Sequence, residues 1–327
     1  MKKLLVKDLK PGTEVSELFA LRKKELKEFD GKNFLKLELG DKSGRIDAVI
    51  WDKAAEYDQQ IETGDVVKVK GFTSSYKNSL QIKIDDILTV PREKVDLEDF
   101  LPVSDKSPEE LLQEYKNVAV SLKNPHLRTL MERILADEKI VEKLKIAPGG
   151  KLWHHSYLGG LLEHTLKIVE ICQKTGEMYE LVDKDLLVTG ALLHDIGKIT
   201  AYNISTFIDF TDEGRLLGHI VEGDRMVHEK IKELSDFPEE LALKLRHLIL
   251  SHQGELEMGS PVVPQTLEAT ILHFADEMDA QAGAFSYIIK RDKEPNSPAG
   301  RAGKKWSDWV PLIKRYIYLG EEEKEEK

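Results

Sequence analysis

The amino-acid sequence predicts a multidomain α+β protein: an N-terminal five-stranded β-barrel followed by an all-α helical bundle. Two observations carry that expectation. Apolar residues alternate with a period of two up to about residue 90, and from Pro91 onward they recur at helical spacing. The length, 327 residues, leaves room for more than one domain with an ordinary core.

In Phe34-Leu35-Lys36-Leu37-Glu38-Leu39 the leucines alternate with mostly polar neighbours, the period of a half-buried strand. Asp41-Lys42-Ser43-Gly44 supplies turn chemistry, and the next strand, Arg45 to Trp51, puts Ile46, Ala48 and Ile50 on one face. Asp52 is placed to cap a short helix, Lys53 to Ile61, which Thr63-Gly64 ends. Strands follow over Val66 to Phe72 and Leu80 to Ile84, and one precedes around Val15 to Glu28. Five strands with a helix between the third and fourth is the order of an OB-fold, a small barrel often used on oligonucleotides. Phe34, Lys36, Arg45 and Trp51 fall opposite the apolar set, and rings interleaved with cations are what a stacking platform requires. The same rings suit ordinary packing. Residues 1–90 hold 17 basic and 16 acidic side chains, which gives little electrostatic pull on a polyanion.

Beyond the barrel, Ser107-Pro108-Glu109-Glu110 has a cap residue, a proline at the first helical position and a Glu at the third, a strong helix start. Asn124-Pro125 repeats the device before Leu127 to Leu135. Pro148-Gly149-Gly150 then breaks the chain, and 151–280 reads as helix after helix with no strand pattern. The expected organisation is a barrel over 1–90, a helical connector over 91–150, a helical catalytic domain over 151–316 and a charged tail over 317–327.

Net charge is −11, but it is unevenly distributed. Residues 151–289 hold 11 basic against 23 acidic side chains, together with nine of the ten histidines; residues 290–316 hold eight basic against three acidic. An acidic, histidine-rich block suits divalent cations, and the basic stretch beside it suits a phosphate chain. Arg301, Lys304 and Lys305 in that stretch are candidate clamps on a substrate backbone, a solvated loop being the alternative. Cys172 is the only cysteine, so disulfides and thiolate metal sites within one chain are excluded, and a small buried side chain is its expected role. No apolar run approaches a signal peptide or a membrane span, which predicts a cytoplasmic protein with no membrane partner. A homo-oligomer stays open.

The run Leu192-Leu193-His194-Asp195-Ile196-Gly197-Lys198 closes an apolar helix that begins near Asp185. His and Asp side by side at a buried helix end are unfavourable unless something compensates their polarity, and a divalent cation does. Lys198, four residues after His194, is placed to meet a phosphate oxygen. His164 stands near the start of another apolar helix, His219 opens one, His252 follows one, and Asp276 is embedded in Ile271-Leu272-His273-Phe274-Ala275-Asp276. These six groups form the ligand set of a hard-to-borderline metal. His155 is a candidate for a substrate phosphate or for support of a ligand. His247 and His273 fit packing or ligand support, and His126, His154 and His228 fit local or solvent-facing roles.

The order His…His-Asp…His…His…Asp resembles the HD-superfamily phosphohydrolases. With the barrel, the helical connector, Trp153-His154-His155…Gly159-Gly160-Leu161-Leu162-Glu163-His164-Thr165 and Ile249-Leu250-Ser251-His252, nearly the whole chain is similar to the YhaM-type 3′→5′ exoribonucleases of Gram-positive bacteria. Gln253 departs from that family, whose members often have a second His there, so 253 is left out of the ligand set. The resemblance implies an exonuclease acting on single-stranded RNA and also DNA, with Mn²⁺ favoured over Co²⁺, Fe²⁺ or Mg²⁺. The expected centre has two ions bridged by Asp195, one held by His164, His194 and Asp276, the other by His219 and His252. Rival readings are a hydrolase of a nucleotide or nucleotide second messenger with the barrel as sensor, a nucleotide phosphomonoesterase, and a non-catalytic RNA-binding adaptor.

Overall fold

The computed structural model describes residues 4–76, 79–101, 104, 106–150, 155–204, 207–293, 305–311 and 313–320. They divide into two compact units, Met1–Val103 with Ile204–Ile208, and Ser104–Asn203 with Asp209–Lys327.

In the first unit β1 (Glu14–Phe29), β2 (Lys32–Asp41), β3 (Gly44–Ile50), β4 (Val66–Tyr76) and β5 (Ser79–Val90) close a barrel in the order β1-β2-β3-β5-β4. The period-two pattern sets its register: Leu37 lies opposite Ala48, and Leu35, Leu37, Leu39, Ile46, Ala48 and Ile50 are buried with Val67, Val69 and Ile82. The β2–β3 turn is tied by Asp41, whose carboxylate accepts from Ser43 N and Val6 N, each at 2.8 Å. Where β4 shifts register at Lys70/Gly71, a Cβ on Gly71 would stand 2.1 Å from Lys83 O, so only glycine lets β5 approach. Helix α1 (Ala54–Gln60) lies between β3 and β4 as expected, but Asp52 does not cap it. Lys53 occupies the cap position with φ 54, a left-handed turn that leaves Asp52 one residue too early, and no side chain caps the helix.

The second unit is helical: α2 (Pro108–Ser121), α3 (Pro125–Leu135), α4 (Glu138–Ile146), α5 (Gly160–Met178), α6 (Lys184–Leu193), α7 (Lys198–Ala201), α8 (Asp212–Leu216), α9 (His219–Lys232), α10 (Glu239–Ser251) and α11 (Leu267–Lys293). One expectation fails here. Residues 202–210 contain two short paired strands, β6 (Tyr202–Ile204) and β7 (Ile208–Phe210), and three residues are too few to show a period of two. Helices α2 to α4, over the stretch expected as a connector, share one apolar core with α5, α6, α9, α10 and α11. Within it Tyr115 of α2 donates to Leu192 O at 2.8 Å, bracing the backbone two residues before His194. Cys172 is buried in the same core, where burial pushes its thiol up to about 12, as fits an inert side chain. Among the described residues no helix is long and apolar enough to cross a membrane.

Ser107 forms the expected capping box: its hydroxyl accepts from Glu110 N at 3.2 Å, and Glu110 Oε2 accepts from Ser107 N at 2.9 Å. Replacing this side chain, Ser107→Ala, is expected to lower stability by about 1 kcal/mol. Urea unfolding monitored by circular dichroism measures it, and an unchanged midpoint would show that the cap contributes nothing.

Candidate metal centre

Five helices deliver polar groups to one place, mostly from their ends. His164 lies one turn into α5, His194 is the residue that caps the C-terminus of α6, His219 is the first residue of α9, His252 caps α10, and Asp276 projects from α11. Helix ends serve this purpose because the chain turns there and a terminal side chain can leave the helix surface.

The six groups converge on Asp195. Its Oδ2 lies 3.4 Å from both His164 Nε2 and His194 Nε2, and its Oδ1 lies 3.2 Å from His219 Nε2 and 3.6 Å from His252 Nε2. Asp276 Oδ1 joins the first group, 3.2 Å from His164 Nε2 and 4.0 Å from His194 Nε2. Two sets with metal-ligand spacing result, His164–His194–Asp195 and Asp195–His219–His252, sharing one carboxylate.

The remaining ring nitrogens are fixed from behind. His194 Nδ1 and His252 Nδ1 lie 2.8 and 2.7 Å from the carbonyls of Ala191 and Ile249, each three residues earlier. A carbonyl only accepts, so both rings carry a proton on Nδ1, and it is Nε2 that becomes the bare nitrogen when the ring is neutral. Asp195 Oδ1, His219 Nε2 and His252 Nε2 are buried without a hydrogen bond among the described residues. A carboxylate oxygen and two imidazole nitrogens buried together without a hydrogen bond are unfavourable by themselves, and a divalent cation would satisfy all three. The donor set therefore fits divalent metal.

Close packing makes this convergence possible. A Cβ on Gly197 would stand 1.9 Å from His219 O, so glycine between Asp195 and α7 is what lets the start of α9 come against the His-Asp pair. Lys198 follows, buried, its amine 2.5 Å from Asp195 Oδ2 and 2.6 Å from Gly149 O. Two of its three N–H donors are thus engaged by the chain, and the expected phosphate contact falls to the third. Burial opposes the charge on Lys198, but Asp195 outweighs it and raises the amine's pKa.

Asp279 is the residue that sequence reasoning missed. One turn beyond Asp276 on α11, its Oδ2 lies 2.8 Å from His164 Nδ1 and 2.9 Å from His155 Nε2. It is the outer carboxylate of a carboxylate–histidine–metal arrangement, which fixes the tautomer and aim of His164. Both ring nitrogens of His155 are occupied, by Asp279 and by Tyr157 Oη at 2.7 Å, so His155 reaches the centre through Asp279. Its backbone has φ 55, a left-handed conformation rare outside glycine and common at functional sites. The three-residue spacing of Asp276 and Asp279 was the available signal, since it puts both on one helix face. His273 Nδ1 lies 2.9 Å from His252 O, and His247 Nε2 accepts from Gln265 N, which are supporting roles.

On the barrel, Phe34 and Trp51 stack with ring centroids 4.8 Å apart, and Trp51 is 43% exposed. Lys36 pairs with Asp47 at 3.2 Å and Arg45 with Glu38 at 3.3 Å, all partly exposed. Lys305 is exposed, whereas Arg301, Lys304, Trp153, His154 and the end of the expected tail, 321–327, lie outside the described residues.

Residues 161–281 match the HD domain family. Residues 20–90 match the OB-fold nucleic acid binding domain. The chain thus joins an OB-fold nucleic-acid-binding domain to an HD domain, and the buried His/Asp sets are those of a metal-dependent hydrolase of nucleic acids or nucleotides. Similar solved structures include a domain of replication protein A from Methanococcus maripaludis, 22% identical over 27% of this chain and 93% of that one, TM-score 0.24. An OB domain from Thermoplasma acidophilum is 20% identical over 28% and 88%, TM-score 0.24. Asparaginyl-tRNA synthetase from Pyrococcus horikoshii is 13% identical over 74% and 61%, TM-score 0.23. All three scores are too low to argue from.

The electrostatics sets a pH dependence. Burial opposes protonation of His164 and His252, but Asp195, with Asp276 and Asp279 for His164, outweighs it and holds both above the ordinary imidazole range. A ring must lose its proton to bind metal. Affinity for a divalent probe such as Mn²⁺ is therefore expected to climb as pH rises above the ordinary imidazole range, with proton release on binding. Calorimetry in two buffers of different ionisation enthalpy measures that release; affinity independent of pH would remove these rings from the ligand set. For the supporting carboxylate, Asp279→Asn is expected to weaken Mn²⁺ binding by about 10–100-fold without unfolding the chain. The same titration checks it, and wild-type affinity would reduce Asp279 to a packing role.

Proposed function

We propose that the chain is a Mn²⁺-dependent 3′→5′ exoribonuclease that hydrolyses single-stranded RNA, and single-stranded DNA, to nucleoside monophosphates. The observation that carries hydrolysis is Asp195, whose two oxygens face two separate imidazole pairs. The polarity, the RNA substrate and the choice of Mn²⁺ rest on the resemblance to the YhaM-type enzymes.

In this reading His164, His194 and Asp276 would hold one divalent ion, His219 and His252 would hold a second, and Asp195 would contribute to both. Bound ions supply a water-derived nucleophile at neutral pH and positive charge toward the phosphoryl oxygens. Lys198 fixes Asp195 by its buried ion pair, and its third N–H donor is available to a phosphate oxygen. Asp279 and His155 keep His164 aimed. Water oxygen bonds to phosphorus as the bond to the 3′ oxygen of the penultimate nucleotide breaks. The proton that the water gives up balances the one that oxygen gains. Phe34 and Trp51 stack on bases, Lys36 and Arg45 approach phosphates, and Arg301, Lys304 and Lys305 contact the strand's backbone. One buried thiol and no thiolate metal site suit the reducing cytoplasm.

The test is a 5′-labelled single-stranded RNA incubated with Mn²⁺ or with EDTA and resolved on a gel. A descending ladder with metal and none with chelator is expected, and His194→Ala or Asp195→Ala should abolish the ladder while RNA is still bound. Full activity in either variant overturns the site. Hydrolysis confined to mononucleotides or cyclic dinucleotides would replace the exonuclease by the nucleotide-hydrolase reading.

A further inference from the structure

Beyond α11 the chain forms a short antiparallel ribbon, bridged at Trp306–Tyr318 and Val310–Arg315. The ribbon is two-faced. Val310, Ile317 and Leu319 are buried against Ile288 of α11. Trp306, Trp309, Tyr316 and Tyr318 point away from that core, each between 49 and 57% exposed. They stand in two edge-to-face pairs, Trp306–Tyr318 at 5.2 Å and Trp309–Tyr316 at 5.3 Å. Cross-strand pairing explains why the rings touch. It does not explain why four large aromatic side chains are kept half in water on an element whose core lies on the other face.

The charges beside the rings narrow the occupant. Lys305, Lys314 and Arg315 are exposed on the same ribbon, with Asp308 its one acidic residue. The surrounding stretch, 290–316, has eight basic and three acidic residues in a chain of net charge −11. An apolar protein surface would have no use for the cations, and an acidic peptide no use for four rings. Single-stranded nucleic acid uses both, because every base has a π-face and every linkage a negative charge.

We propose that residues 305–311 and 313–320 form a stacking platform for single-stranded nucleic acid, separate from the OB-fold, that holds the substrate strand upstream of the metal centre. Its place follows from α11: Ile288, under the ribbon, is 12 residues beyond Asp276, a rise of about 18 Å, or about five nucleotides at stacked spacing. The assignment of the bound strand as substrate rests on the hydrolase reading above; the binding itself does not.

The test measures binding of a fluorescent single-stranded oligouridylate of about a dozen nucleotides, roughly twice that span, to the full chain in EDTA. The double variant Trp309→Ala/Tyr316→Ala is expected to bind about tenfold more weakly, and Trp309→Phe/Tyr316→Phe, which keeps the rings, close to wild type. Lys314→Gln/Arg315→Gln, at exposed positions outside the core, is expected to weaken binding and flatten its salt dependence. Hydrolysis of a dinucleotide with Mn²⁺, too short to reach the ribbon, should be the same in all variants. Unchanged affinity in both the aromatic and the charge variants overturns the platform. So does unchanged RNA affinity with loss of self-association by light scattering, which would make the face a contact between copies of the chain. If even the wild type leaves the dinucleotide intact, the hydrolase reading fails, and the binding measurements still decide the platform.

Discussion

The constraint on which the second unit depends is a carboxylate with too many neighbours. Asp195 is almost wholly buried, and four imidazoles and one ammonium lie within 3.6 Å of its two oxygens. Burial alone would drive it to protonate, yet Lys198 and the surrounding rings hold it well below the usual carboxylate range, so it stays an anion. An anion in an apolar core needs compensation from every side. Lys198 covers one oxygen through a direct ion pair, while Oδ1 has buried neighbours and no hydrogen bond. That asymmetry suits a site in which a divalent cation would face Oδ1.

The fold reaches this arrangement by repeating one device. His194 and His252 each follow the last turn of an apolar helix, and each anchors Nδ1 on the carbonyl three residues back. The backbone group that the helix end leaves unsatisfied thereby orients the ring, so no additional polar residue has to be buried for that purpose. His164, in the first turns of α5 and not at a C-terminus, has no such carbonyl, and Asp279 takes its place. The added carboxylate brings its own requirement, which His155 meets at the expense of a left-handed backbone. Burial lowers the pKa of His155, and Asp279 works against that shift. The chain of dependence thus runs from one metal-facing ring to a strained residue 9 positions earlier in the sequence.

How much of this was legible follows from which signals are local. The barrel strands and the six convergent groups were readable because period and polarity are local: a leucine at every second position, or an aspartate inside Ile-Leu-His-Phe-Ala-Asp, is out of place in any other setting. For Asp279 the sequence offered only its three-residue spacing from Asp276; carboxylates on a long helix are ordinary, and its partner His155 lies 124 residues away. The ion pair of Lys198 with Asp195 was not legible, because the turn at Ile196-Gly197 that brings its amine onto that carboxylate leaves no periodic signal. The ribbon after α11 was not legible: the stretch 290–306 reads as a basic loop because Gly, Pro and Ser stand among its cations, and the inward set, Val310, Ile317 and Leu319, shows alternation only once the strand direction reverses. Short paired elements are visible only to their partners.

The charge layout bears on how a polyanion can be handled at all. The helical block around the centre has 23 acidic and 11 basic side chains, and the barrel segment is close to neutral. Neither attracts a phosphate chain over distance, and the long-range field of the block opposes one. Divalent cations reverse the sign locally, but a field that falls off within about 8–10 Å at physiological salt steers nothing from bulk solution. Retention of a strand then falls to contacts that do not depend on net charge. Stacking is such a contact, and exposed rings occur in the right form: Phe34 on Trp51 in the barrel, and two aromatic pairs on the ribbon with their own cations. Under the proposed function, an acidic domain and exposed aromatic surfaces are therefore compatible, with carboxylates assigned to metals and π-faces to bases.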